Sequence, residues 1–150
     1  MSYEPIETAL LSVIRRVGSV AADDVSAGDR KVLAGGQPCI VVFRDGNGVR
    51  QHLTLGNPRT DMVTWSISIE LWEPRGGRPE EEVIGILKER VDTLVSELTA
   101  WPELENTPGV MDTLPEASDS PDDSPPAGPE WALWTAHLAV QELQTITTRG

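Results

Sequence analysis

Apolar positions recur along this chain at two periods, and the switches between them mark its elements. From residue 5 to residue 17, Ile6, Leu10, Val13, Ile14 and Val17 fall three and four apart, which places them on one helical face. Pro5 suits the first helical position and Gly18 the stop. The stretch SVAADDVSAGDRKVLAGGQP that follows is polar and glycine-rich and reads as a connection, with a short helical turn at Ala22–Val25. CIVVFR (39–44) is β-branched and bounded by turn residues, so it reads as a buried strand. DGNG (45–48) is a hairpin signal, because Gly and Asn accept positive φ, and VRQHLTL (49–55) becomes the returning arm.

The period of two is clearest over 62–73. Val63, Trp65, Ile67, Ile69 and Leu71 point one way, and Thr64, Ser66, Ser68 and Glu70 the other, until Trp72 breaks the polar face. Residues 79–101 return to the helical period. Ile84, Leu87, Val91, Leu94, Leu98 and Trp101 form a stripe joined by Val83 and Val95. Pro79 and three glutamates suit the helix start, where the dipole favours negative charge, and Pro102 ends the helix. A short strand is expected at 109–114 and a long one at 131–146. In the latter Trp134, Ala136, Leu138 and Val140 share one face, and Thr135, His137, Ala139 and Gln141 the other. Leu143 is out of phase with that apolar face, which predicts a bulge or strand end nearby. Helix, two strands, helix, two strands predicts an α+β fold: a two-layer sandwich of one mostly antiparallel or mixed β-sheet with two helices on one face, in a single domain over 1–150.

Between the last two strands lies the loop 115–130, with five acids and four prolines from Glu116 to Trp131. It exceeds the roughly 2–5 residues of a hairpin loop. Its prolines and repelling acids favour an extended arm, and deleting Ser118–Pro126 is expected to leave the fold intact.

Charge sharpens this layout. The net charge is −12, and residues 79–130 carry fourteen acids against Lys88 and Arg90, so the remainder is balanced at ten acids and ten bases. No basic footprint for phosphates exists, which excludes a sequence-specific DNA binder. The plain reading of the acidic segment is a solvated helix face and loop. The sharper one is a surface that repels nucleic acid or docks a basic partner. No apolar run approaches the roughly 18 residues of a membrane span, and MSYEPIETAL has no secretory-signal pattern. Cys39 is the only cysteine, which excludes a disulfide framework and reads as a small buried hydrophobe.

Candidate chemistry is sparse. His52 and His137 lack a second ligand or nucleophile at a recognisable spacing. AGGQP and RGGRP are glycine pairs without the spacing of a phosphate-binding loop. Asp119, Asp122 and Asp123 lack the glycine and closing glutamate of a calcium loop. No cofactor or metal is expected. Five tryptophans stand against one phenylalanine and one tyrosine, and Trp72, Trp101, Trp131 and Trp134 lie near element ends. Such rings close the edges of a thin core or enter subunit contacts.

The helix IETALLSVIRRV, the strands CIVVFRDG and MVTWSISIELWEP, the helix EEVIGILKERVDTLVSELTAWPEL and the late strand WALWTAHLAVQELQ, taken in order, resemble the tail terminator (tail completion, head-to-tail joining) proteins of long-tailed bacteriophages. The resemblance covers most of the chain and rests on element order, length and layout. It implies a structural subunit of a homo-hexameric ring and not an enzyme. The ring caps the tail-tube protein and meets the head-connector or head-closure protein. DNA passes through its lumen without specific binding. It implies residence in the virion, at the head–tail junction or neck, after assembly in the host bacterial cytoplasm, with no membrane partner. The expected inter-subunit contacts are Arg44, Arg50 and Arg59 on the excursion 44–59, Asp119, Asp122 and Asp123 on the acidic loop, and the rings of Trp72 and Trp131. A basic excursion on one subunit would then pair with an acidic surface on the next. The alternatives are another neck or tail-completion component, an acidic DNA-mimic inhibitor, and a small α+β enzyme.

Overall fold

The computed structural model describes residues 3–17, 20–104, 107–122 and 125–147. Helix α1 runs Glu4–Val17, with Glu4 and Glu7 in its first turn and Arg15 and Arg16 in its last, each sign facing the helix end it stabilises. Ile6, Leu10, Val13 and Ile14 are buried, as the spacing predicts, while Val17 is only half-buried. The helix stop expected at Gly18 lies outside the described residues. A 3-10 turn at Ala22–Asp24 leads into strand β1 (Val25–Ala27), absent from the sequence reading. Three residues between turns carry no legible alternation. Their pairing comes from outside, because β1 lies parallel to β2 (Cys39–Arg44). That parallel pair makes the sheet mixed.

DGNG is not a hairpin. β2 and β3 (Val49–His52) lie end to end along β4 (Arg59–Pro74), both antiparallel to it, with Arg44 opposite Ile67 and Val49 opposite Thr64. Residues 45–48 are extra chain looped out of one interrupted strand, in the manner of a large bulge. Gly48 marks why the chain can pass there: a Cβ would lie 2.5 Å from Val63 Cγ1 and 3.1 Å from Trp65 Cε3. The reversal comes later, between His52 and Arg59, so the returning arm ends at His52 rather than residue 55. Leu53 and Thr54 donate their backbone N–H groups to Thr60 O, at 2.9 and 3.2 Å.

β4 and β6 (Trp131–Ile146) are paired without interruption from Arg59–Ile146 to Pro74–Trp131. β5 (Val110–Ala117) adds to the far side of β6, giving the order β1-β2-β4-β6-β5 with β3 extending the β2 side. The irregularity expected near Leu143 is not in β6. The register shift falls in β5, between Val110 and Asp112. In β6 the inward phase of Leu138 and Val140 continues through Glu142 and Gln144, both buried, and Leu143 faces outward. The apolar pattern stops there because polar side chains occupy the inward positions.

Helix α2 (Glu80–Ala100) buries Val83, Leu87, Val91, Leu94 and Leu98 against the sheet, each contributing about 1.5–3 kcal/mol relative to exposure. Ile84 and Val95 flank the buried line, and Trp101 is 44% exposed, outside it. Together with α1 this builds a two-layer α+β sandwich, with both helices against one face of the mixed sheet and one core between them. No helix among the described residues is long and apolar enough to cross a membrane.

The opposite face carries a smaller cluster at one end. Cys39, Val41, Trp72 and Leu133 are buried beneath Val32 and Leu33 of a 3-10 turn, Lys31–Gly35. Arg30 clips that turn to the sheet through two bonds to the Glu70 carboxylate, at 2.9 and 2.8 Å. The loop after β5 is less slack than its composition implies. Pro115–Ala117 belong to the strand. Ser118 N–H donates to Thr135 O at 3.0 Å, Asp122 N–H to Leu133 O at 2.9 Å, and Trp134 Nε1–H to Ser118 O at 2.8 Å.

Candidate functional site

Two surfaces are candidates for function: the far end of the sheet, where β3, β4 and β6 run together, and the outward sheet face. At the far end the inward positions of β4 and β6 are Asp61 opposite Gln144 and Val63 opposite Glu142. β3 adds Arg50 opposite Val63 and His52 opposite Asp61. Asp61 has no exposure, and a carboxylate there requires partners. Arg50 donates to Asp61 Oδ2 at 2.8 Å, His52 Nδ1 lies 2.7 Å from Oδ1, and Arg59 Nε pairs with Oδ1 at 3.4 Å. Burial pushes the Asp61 pKa up, but the bonds from His52 and Arg50 and the charge of Arg59 outweigh it and hold the carboxyl below its ordinary value.

The network continues inward. Arg50 also donates to Gln144 Oε1 at 2.9 Å, and Gln144 Nε2–H donates to Glu142 Oε1 at 2.8 Å. Trp65 Nε1–H reaches the same oxygen at 3.2 Å. The Trp65 ring meets Tyr3 at 5.5 Å, and the Arg44 guanidinium stands 5.3 Å from the Tyr3 ring centre and 5.7 Å from that of Trp65. Burial pushes the Tyr3 hydroxyl up to about 12.

These contacts change the expected role of the basic excursion. Arg50 and Arg59 spend much of their charge on the buried Asp61 of their own chain, and Arg44 is stacked on its own rings. Each stays partly open to solvent, with the side chains of Arg50 and Arg59 at 39% and 30% exposure. Of the two tryptophans expected in contacts, only Trp72 is corrected. Trp72 is fully buried, and its Nε1–H donates to Glu70 at 3.1 Å. Trp131 is half-buried and meets Trp72 edge-on at 6.1 Å. Trp72 offers no free surface, because the Lys31–Gly35 turn covers it. Asp119 is exposed on the loop, Asp122 is exposed with its backbone tied to β6, and Asp123 lies outside the described residues.

The outward face is laid down by the alternate phase: Val49, Thr64, Ser66 and Ser68, then His137, Ala139 and Gln141, then Leu114 and Glu116. Away from the small cluster these positions are exposed or half-buried, with Val49 at 71% and Leu114 at 53%. A shallow depression of about 410 Å³ lies among Asp45, Ser66, Leu114, Glu116, His137 and Ala139. Here the fold joins residues that no spacing connects: Ser68 Oγ is 2.6 Å from Asp45 Oδ2 and 3.5 Å from His137 Nδ1. The hydroxyl proton goes to the Asp45 carboxylate, away from the imidazole, so His137 is not placed as a base for Ser68. Among the described residues no group of three or more His, Cys, Asp or Glu side chains is arranged to hold a metal ion.

The buried polar set was legible as a phase and was missed as chemistry. Asp61 stands two residues before Val63, and Glu142 and Gln144 stand two and four after Val140, all in the inward phase. The partners could not be found that way, since Arg50 and Gln144 are 94 residues apart. No protein-family model and no curated protein matches the chain.

Proposed function

We propose that this chain is a structural subunit of a long-tailed bacteriophage, a tail terminator that forms a ring on the end of the tail tube and joins it to the head connector. The observation that carries the reading is the outward sheet face. One layer of helices covers one side of the sheet, while most of the other side is exposed or half-buried and mixes hydroxyl, small and apolar side chains with His137, Gln141 and Glu116. In this reading that mixed face is the surface that meets neighbouring subunits, with its exposed Val49 and Leu114 as the apolar positions available for burial. In this reading the protein works through contacts and not through catalysis. Its partners are its own copies, the tail-tube protein and the connector, at the head–tail junction of the virion. The surplus acid suits a conduit for DNA, because like charge keeps phosphates from adhering.

Electron microscopy of the purified protein tests this directly. The expected particle is a six-fold ring with a central hole that halts growth of tail tubes assembled in its presence. A stable monomer that leaves tube growth unchanged and competes with DNA for a DNA-binding protein would replace the reading with that of an acidic mimic.

A further inference from the structure

Resting on the ring reading, we propose that the β3–β4 turn is a knob that seats in a groove between α1 and the side chains of Leu104, Thr107 and Pro108 of a second copy of this chain. Leu55, at the crest of the turn, is 86% exposed, and Leu53 beside it 49%. The turn holds them out on a defined frame. Besides the two bonds to Thr60 O, Thr60 N–H donates to Thr54 Oγ1 at 2.8 Å. An apolar tip already ordered before contact loses little entropy on docking.

The same chain carries a surface of matching character. A groove of about 610 Å³ lies along Pro5, Thr8, Ala9, Ser12, Leu104 and Pro108, with Glu4 and Thr107 also lining it, and its open surface is more apolar than polar. Its floor is fixed: Leu104 is fully buried, and its backbone takes a φ of 45° held by Leu104 N–H to Trp101 O at 3.0 Å. The charges match as well. The tip is flanked by the partly open guanidinium side chains of Arg50 and Arg59. The groove has Glu4 on its wall and exposed Glu103 beside its floor. Knob and groove are different surfaces, and in the ring reading each knob seats in the groove of the next subunit, head to tail. Repeated contacts of that type close into a ring or grow a filament, whereas reciprocal seating of both knobs across a two-fold axis would stop at a dimer.

The test uses the full-length chain with Leu55→Asp on the knob and Thr8→Trp in the groove, read by analytical ultracentrifugation. Both positions are exposed, and thermal melts matched to the parent confirm folding. Should Thr8→Trp melt early, Ser12→Trp, also exposed, blocks the same groove. Each variant alone is expected to sediment as single chains, since losing one buried leucine weakens each junction about tenfold or more. An equimolar mixture is expected to give heterodimers and nothing larger, because only the Thr8→Trp knob and the Leu55→Asp groove remain competent together. Rings that persist in both single variants overturn the inference and leave the ring reading standing. Rings of Leu55→Asp that no longer cap tubes overturn it too, by assigning the knob to the tube protein. A parent chain that stays monomeric at every concentration sinks the ring reading and the junction with it.

Discussion

Gly48 gives the sharpest test of how the interrupted strand is built. In Gly48→Ala the new methyl would lie 2.5 Å from Val63 Cγ1, 3.1 Å from Trp65 Cε3 and 3.2 Å from Trp65 Cδ2. Carbon atoms in contact rest at about 3.5–4.0 Å, so the methyl needs about 1 Å of extra room. Neither neighbour yields readily. Val63 is buried and β-branched, with a stiff χ1. Trp65 is held by its bond to Glu142 and by the Tyr3 ring. Overpacking of this type costs about 1–3 kcal/mol, offset by about 0.4–1 kcal/mol because alanine restricts the unfolded chain more than glycine does. The net loss of about 1–2 kcal/mol should lower Tm by about 2–8 °C in a chain of this size. Calorimetry on Gly48→Ala, Val63→Ala and the double variant measures it. In the Val63→Ala background, where the obstructing methyl is gone, the alanine at 48 should cost far less. A Gly48→Ala protein as stable as the parent, or an equal loss in both backgrounds, refutes the close-approach argument.

Asp61→Asn should remove a pH dependence. A carboxyl held below its ordinary value of 3.8 stabilises the fold above that value, and the contribution is lost as pH falls toward the depressed folded pKa. The gap in urea midpoint between parent and Asp61→Asn should therefore narrow in acid below pH 3.8, and a constant gap would contradict the network. The Cys39 thiol, buried and pushed up to about 12 mainly by burial, should resist iodoacetamide in the folded protein and label only on unfolding. Rapid labelling in native buffer would place it elsewhere. Deleting Ser118–Pro126 removes three hydrogen bonds to β6 or its side chains and should cost about 2–4 kcal/mol while leaving the far-ultraviolet circular dichroism native-like. An unchanged Tm would restore the segment to slack loop.

Much of this fold was legible because its long elements bury one face each. The period of 3.6 in α2 and of two in β4 and β6 is what one-sided burial imposes on a sequence. Cys39–Arg44 and Trp131–Ile146 appear at their expected ends, since turn residues and prolines bracket them. What could not be read is whatever pairing decides. β1 exists because β2 offers it an edge. DGNG permits a tight hairpin, yet the length of β4 lets β3 continue along the same partner instead. Pro115–Ala117 stay in a strand because an edge strand tolerates proline, which has no N–H for the ladder. The candidate surfaces divide the same way. The arginines of the excursion were visible as charges, but the buried Asp61 that absorbs them was visible only as a polar residue in an apolar phase.

The position of β6 has a consequence for how the chain folds as it is made. It is the last strand described, yet it lies between β4 and β5 and completes the core under α2. Until it emerges, β4 has no partner on one side and β5 has no place to pair. The apolar stripe of α2 meets only part of its cover, and any contact surface spread across the sheet is divided. A chain interrupted before Trp131 would carry two open strand edges, the kind of surface that quality-control machinery and aggregation both act on. Closure of the sheet and of the core is thereby deferred until the last described strand is made. Up to that point neither face of the sheet is whole, and folding of the domain waits on its C-terminal strand.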